Sequence, residues 1–113
     1  MAKASLTVIC TYRVKKAKER DFRRLLHRHW PTLHRLGLTT EEPSRIYRGE
    51  HERGDPYFVE IFTWKNAHAA RRAHEYPEVA AVWEPMEGLC EGRAGRPAME
   101  FPHVKRLRLG RGA

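Results

Sequence analysis

The sequence predicts an α+β domain whose elements run β-α-β-β-α-β. Three observations carry that expectation. SLTVICTYRV (5–14) and YFVEIFTW (57–64) are rich in β-branched and aromatic residues that alternate with a period of two. Over 18–36, and again after Asn66, apolar residues recur at helical spacing. HERGDP (51–56) joins PSRIYRGEH (43–51) to the third strand with the composition of a hairpin connection.

In the first strand Leu6, Val8, Cys10 and Tyr12 share one face, while Thr7, Ile9, Thr11 and Arg13 share the other. The first helix carries a stripe of Phe22, Leu25, Leu26, Trp30, Leu33 and Leu36, with most arginines opposite and Gly37 as its stop. Pro31 lies inside this pattern and predicts a kink near His29–Trp30, or a break into two short helices. After the third strand, Asn66 is a plausible N-cap for NAHAARRAHEY. Pro77 starts a further helical piece, whose apolar stripe is Val79, Val82, Trp83, Met86, Leu89 and Cys90, with Pro85 disturbing it. Glycines at 88, 92 and 95 lead to a last strand over 98–107, where Pro102 implies an edge or a bulge.

That order is the ferredoxin-like βαββαβ unit, with a four-stranded antiparallel sheet and helices on one face only. On the third strand Val59 and Ile61 point one way, and Phe58, Phe62 and Trp64 the other. Both faces are therefore greasy, and a second copy is expected to cover the open one, making a homodimeric α/β barrel.

The 113 residues suit a single domain, 1–113, ending in a basic tail at about 108–113. No apolar run reaches the length of a membrane span, and MAKASLTVIC has no long apolar signal segment, so a cytoplasmic protein with no membrane partner is expected. Cys10 and Cys90 lie far apart without metal spacing and are expected as buried free thiols. The net charge is +8, and arginine supplies 16 of the 22 basic residues. They are scattered, and no RNA-binding signature accompanies them. Weak affinity for polyanions follows from the charge; specific nucleic-acid recognition does not.

Phe62-Thr-Trp64, then Asn66, Ala67, Ala70 and His74, then PEVAAVWEPMEGL (77–89), resemble the antibiotic-biosynthesis-monooxygenase-like family of the dimeric α/β-barrel superfamily. The resemblance implies a cavity between sheet and helices in each subunit. Members of the family are of several kinds: some resemble cofactor-independent monooxygenases of polycyclic phenols, others degrade haem, and many have no known activity. In the haem-degrading branch a strand-one Asn, a strand-three Trp and a helical His form the site. Trp64 and His74 occupy positions similar to the last two, whereas strand one offers Thr7, Cys10, Thr11 and Tyr12 but no amide.

The candidate catalytic residues are His74, Trp64 and Glu60. At about 100° per residue, Ala67, Ala70 and His74 share a helix face, where alanines leave room for either close packing or a pocket. His74, in the last turn, is suited to anion binding, iron ligation or proton transfer, or else to capping helix carbonyls or stopping the helix before Pro77. Trp64 is a core anchor or the wall of a cavity. Glu60 sits between Phe58 and Phe62, where a carboxylate needs a partner; Arg13 or Arg48 on neighbouring strands is expected to supply one. As a base it would serve a phenol oxygenase by forming the phenolate that reacts with oxygen.

The candidate ligand-binding residues are Tyr12, His29 and Trp83. His29 lies in the middle of the apolar stripe of the first helix, placed either to bond the carbonyl that Pro31 releases or to face the same interlayer space as His74. His27 and His29 diverge by about 200°, and His68 and His74 by about 240°, so neither pair converges on a metal. No phosphate-binding glycine loop or nucleophile elbow is present. The expectation is a homodimer that takes a small aromatic ligand and needs no cofactor, with a non-enzymatic ligand-binding or assembly protein as the alternative and haem chemistry third.

Overall fold

A computed structural model describes residues 4–110. The order is β1 (Leu6–Arg13), α1 (Glu19–Arg35), β2 (Arg45–Glu50), β3 (Pro56–Trp64), α2 (Ala67–Arg72), α3 (Pro77–Gly88), β4 (Met99–Glu100) and β5 (His103–Val104). The antiparallel sheet runs β2-β3-β1-β4, and β5 also pairs with β1. This is the ferredoxin-like α+β arrangement, and α1 and α3 pack side by side. Of the expected basic tail, Arg108–Gly110 are exposed and outside any helix or strand; 111–113 lie outside the described residues.

The period-two pattern is realised in full on β3 and over Thr7–Tyr12 of β1, with Arg13 buried at the end of that strand. Val8 faces Phe62 and Cys10 faces Glu60 across the ladder. Together with Tyr12, Phe58 and Trp64 these side chains are buried under the helices. Phe22, Leu26 and Leu33 from α1 and Val79, Val82 and Met86 from α3 close the core over them. On the open face Thr7, Ile9, Thr11, Val59, Ile61 and Thr63 are each only half-buried in the single chain.

Two expectations change. Of the two outcomes expected at Pro31, the break into two short helices does not occur: the helix runs on to Arg35, and Gly37 follows at φ 75°. Pro31 is exposed, as is His27 one turn back, so the carbonyl that the proline frees lies on the water side, where solvent satisfies it. The last strand is also not continuous over 98–107. Pro102 has no N–H to donate, and it splits the strand into β4 and β5 while its own carbonyl accepts from Ile9 N at 3.0 Å.

Asn66 caps α2 as its position implies, with Oδ1 accepting from Ala69 N at 2.8 Å. For so short a helix the cap matters. Asn66→Ala is expected to cost about 1 kcal/mol of stability, read as a lower urea midpoint at unchanged slope.

Candidate functional site

Glu60 is at the centre of β3, pointing toward the helices, and is 0% exposed. A carboxylate buried there loses its water, which costs several kcal/mol unless donors replace it. Two do. Tyr12 O–H donates to Oε1 at 2.7 Å, and His29 Nδ1 meets the same oxygen at 2.8 Å. Register explains the first contact: Cys10 lies opposite Glu60, and Tyr12 is two residues along on the same face. Amphipathicity explains the second, because His29 occupies the middle of the buried face of α1.

The chain continues outward. Trp83 of α3 donates its indole N–H to His29 Nε2 at 2.8 Å. An indole nitrogen can only donate, so Nε2 is the acceptor and His29 carries its ring proton on Nδ1, aimed at Glu60. Burial first, and then the adjacent Glu60 charge, push the Tyr12 phenol well above its ordinary range, and the same two causes raise the Cys10 thiol. Both side chains keep their protons next to the carboxylate. Glu60 Oε2 is buried and has no hydrogen-bond partner among the described residues.

His74 stands at the outer end of this series. It is exposed, and its ring meets Trp83 edge-on at 5.0 Å. Trp64 is 6% exposed and packs on Phe62 at 5.0 Å; Phe62 in turn touches the His29 ring at 5.6 Å. Five of the six candidates thus form one series of neighbours, Tyr12–Glu60–His29–Trp83–His74. Trp64 joins it through Phe62.

Several expectations are corrected. Neither arginine reaches Glu60. Arg13 lies on the opposite face of the sheet, bonded to Glu100 at 2.6 Å and to the Pro97 carbonyl at 2.7 Å. Arg48, on the outer strand, bends to Glu19. His29 bonds Glu60 and Trp83, not the carbonyl freed by Pro31. The inward face of the alanine-rich segment is Ala69 and Ala73, whereas Ala67 is exposed and Ala70 half-buried. The helix ends at Arg72 and tightens into a 3-10 turn over Ala73–Glu75, because Pro77 forces Tyr76 into an extended conformation. That turn carries His74 outward. The expected cavity among Tyr12, His29, Trp64, His74 and Trp83 is closed: Tyr12, His29 and Trp64 are packed into the core. One hollow along α1 and another between α1 and β2 are lined by none of those five side chains.

No protein-family model matches the sequence, and a search of curated proteins finds no match. Solved structures do match. A variant of SnoaB, a cofactor-independent oxygenase from Streptomyces nogalater, superposes with a TM-score of 0.68 at 16% identity, covering 93% of this chain and 95% of that one. A protein assigned provisionally to the antibiotic biosynthesis monooxygenases, from Nitrosomonas europaea, gives 0.68 at 12% identity, covering 95% and 94%. A dimeric ferredoxin-like protein of unknown function from Jannaschia sp. CCS1 gives 0.55 at 15% identity, covering 91% and 100%. The chain has the ferredoxin-like fold of the antibiotic-biosynthesis-monooxygenase group over nearly its whole length.

Proposed function

We propose that the chain pairs with a second copy through its open sheet face, and that each subunit binds a small phenolic compound against Glu60 and oxidises it with O2, without a bound cofactor. The observation that carries this reading is the buried carboxylate with one oxygen held and the other unpartnered. A core residue chosen for packing alone would be apolar, since burying a carboxylate is seldom a net gain in stability. A carboxylate held rigidly by Tyr12 and His29, with a free oxygen, is what a general base for a phenol requires. Fold likeness to a cofactor-independent oxygenase supports the reaction class by analogy.

In this reading Trp83 is the door. It is half-buried, and it separates exposed His74 from His29 and Glu60. A ligand reaches the carboxylate by displacing the indole from His29. Glu60 Oε2 then takes the phenol proton, and the phenolate passes electrons to O2. One oxygen atom becomes a ring carbonyl in place of a C–H, the other leaves as water, and phenol plus O2 becomes quinone plus water.

The test is oxygen uptake and quinone absorbance with a panel of polyphenols. Turnover is expected, and Glu60→Gln should reduce it by about a hundred-fold or more, as loss of a general base does. Neither binding nor turnover across the panel would overturn the reading.

The closed packing of Tyr12, His29 and Trp64 favours a second reading, a non-enzymatic protein of the same fold that binds a ligand or only assembles. Saturable ligand binding without oxygen uptake would select it. Haem chemistry has less support, because strand one offers Thr7, Cys10, Thr11 and Tyr12 but no amide, and His74 is set outward beside Trp83. A Soret band on haemin titration would reverse that ranking.

A further inference from the structure

The outer face of α1 carries a row of arginines, with exposed Pro31 between Arg28 and Arg35. Arg20, Arg24, His27, Arg28 and Arg35 are all exposed, and at about 100° per residue they fall within roughly 80–100° of one another around the helix. Arg20, Arg24 and Arg28 follow each other at intervals of roughly 6 Å along the axis. Among the described residues none of these four arginines has an ion-pair partner, although carboxylates are near. Glu19 is taken by Arg48 at 2.9 Å and by Arg23 at 3.1 Å, and Asp21 lies at the edge of the stripe. A shallow trough lined by Glu19, Arg20, Arg23, Arg24, His27 and Arg28 runs along this face.

We propose that this face docks the phosphate backbone of a nucleic-acid duplex without regard to base sequence. Its row of regularly spaced, permanently charged forks complements a line of phosphates, which presents one negative charge per about 1.7 Å of duplex axis. A membrane surface fits less well. A helix that lies in a bilayer interface must offer lipid an apolar face, and Phe22, Leu26 and Leu33 of α1 are already buried in the core. The stripe points away from the sheet, so pairing through the open sheet face leaves it uncovered. Charge alone, spread over the surface, would not single out α1; the regular spacing of Arg20, Arg24 and Arg28 along one helix face does.

The experiment is polarisation of a fluorescent duplex of about 20 base pairs, titrated with the full chain over a range of salt. Binding is expected in the range of about 1–100 μM near physiological salt, with log K falling against log[salt] at a slope of about −4. The triple variant Arg20→Gln, Arg24→Gln, Arg28→Gln should flatten that slope by nearly three, at roughly 0.9 for each phosphate that is no longer neutralised. A charge-matched control, Arg71→Gln, Arg106→Gln, Arg108→Gln, should leave it almost unchanged, and duplexes of different sequence should bind alike. An equal flattening in the control, absence of binding at low salt, or binding to phosphatidylserine vesicles but not to duplex would each overturn the proposal. Circular dichroism of both variants confirms that the fold is retained.

Discussion

Replacing Glu60 with alanine is expected to lower the folding free energy by about 3–5 kcal/mol, a large share of the 5–15 kcal/mol typical of such a domain. The loss comes from what is left behind. Tyr12 O–H and His29 Nδ1–H both lose their acceptor in a buried site, and each orphaned donor costs about 1–3 kcal/mol. The vacated volume adds a cavity among Phe58, Phe62 and Tyr12, all buried. Glu60→Gln behaves differently. Its amide oxygen still accepts both hydrogen bonds, and the buried charge is gone, so stability should stay within about 1 kcal/mol of the parent. Urea unfolding of the two variants separates the cases. If both cost less than about 1 kcal/mol, the hydrogen bonds onto Oε1 contribute little and the geometric account of the site fails. The same pair separates stability from chemistry, because the glutamine variant keeps the fold while losing the base.

Period and punctuation made most of the fold legible in the sequence. Alternation placed β1 and β3, a stripe from Phe22 to Leu36 placed α1, and Asn66, Pro77 and Gly37 marked helix ends that the structure keeps. Prolines were harder to read, because their effect depends on which side faces water. Pro31 sits on the exposed side of α1 and is absorbed, while Pro102 sits on an outer strand and splits it. The members of the site were legible and their partners were not. His29 was visible as a polar residue on an apolar face, and Glu60 as a charge between two phenylalanines. What joins them is strand register and the packing of α1 beside α3, and neither is a local property. Writing β1 against β3 antiparallel with Cys10 opposite Glu60 would have brought Tyr12 within reach and sent Arg13 to the other face. The bond from Trp83 to His29 had no such signal, since it spans two helices far apart in the chain. His74 was misplaced because the helix was extended through it, when the chain had already tightened ahead of Pro77.

Ile9→Asp is the substitution expected to act most strongly on assembly. Ile9 lies opposite Ile61 in the middle of the open sheet face, flanked by Thr7, Thr11, Val59 and Thr63, with Tyr47 54% exposed beside Val59. Thr7 and Thr63 share one hydroxyl–hydroxyl bond of 3.0 Å across the ladder, so one of their two O–H groups is already taken within the chain. A face so composed stays half-exposed in one chain and invites an identical face, in which every residue occurs twice about a two-fold axis. Losing Ile9, half-buried in the single chain, removes about 1 kcal/mol of apolar burial per copy, and the new carboxylate adds several kcal/mol of desolvation wherever the faces meet. Even a total of about 4 kcal/mol weakens the dimer a thousand-fold. Sedimentation should find the parent chain dimeric at micromolar concentration and the variant monomeric, with its circular dichroism retained because the helix-side core does not include residue 9. A parent chain that sediments as a monomer throughout would remove the face-to-face pairing, and a variant that stays dimeric would move the interface elsewhere on the molecule.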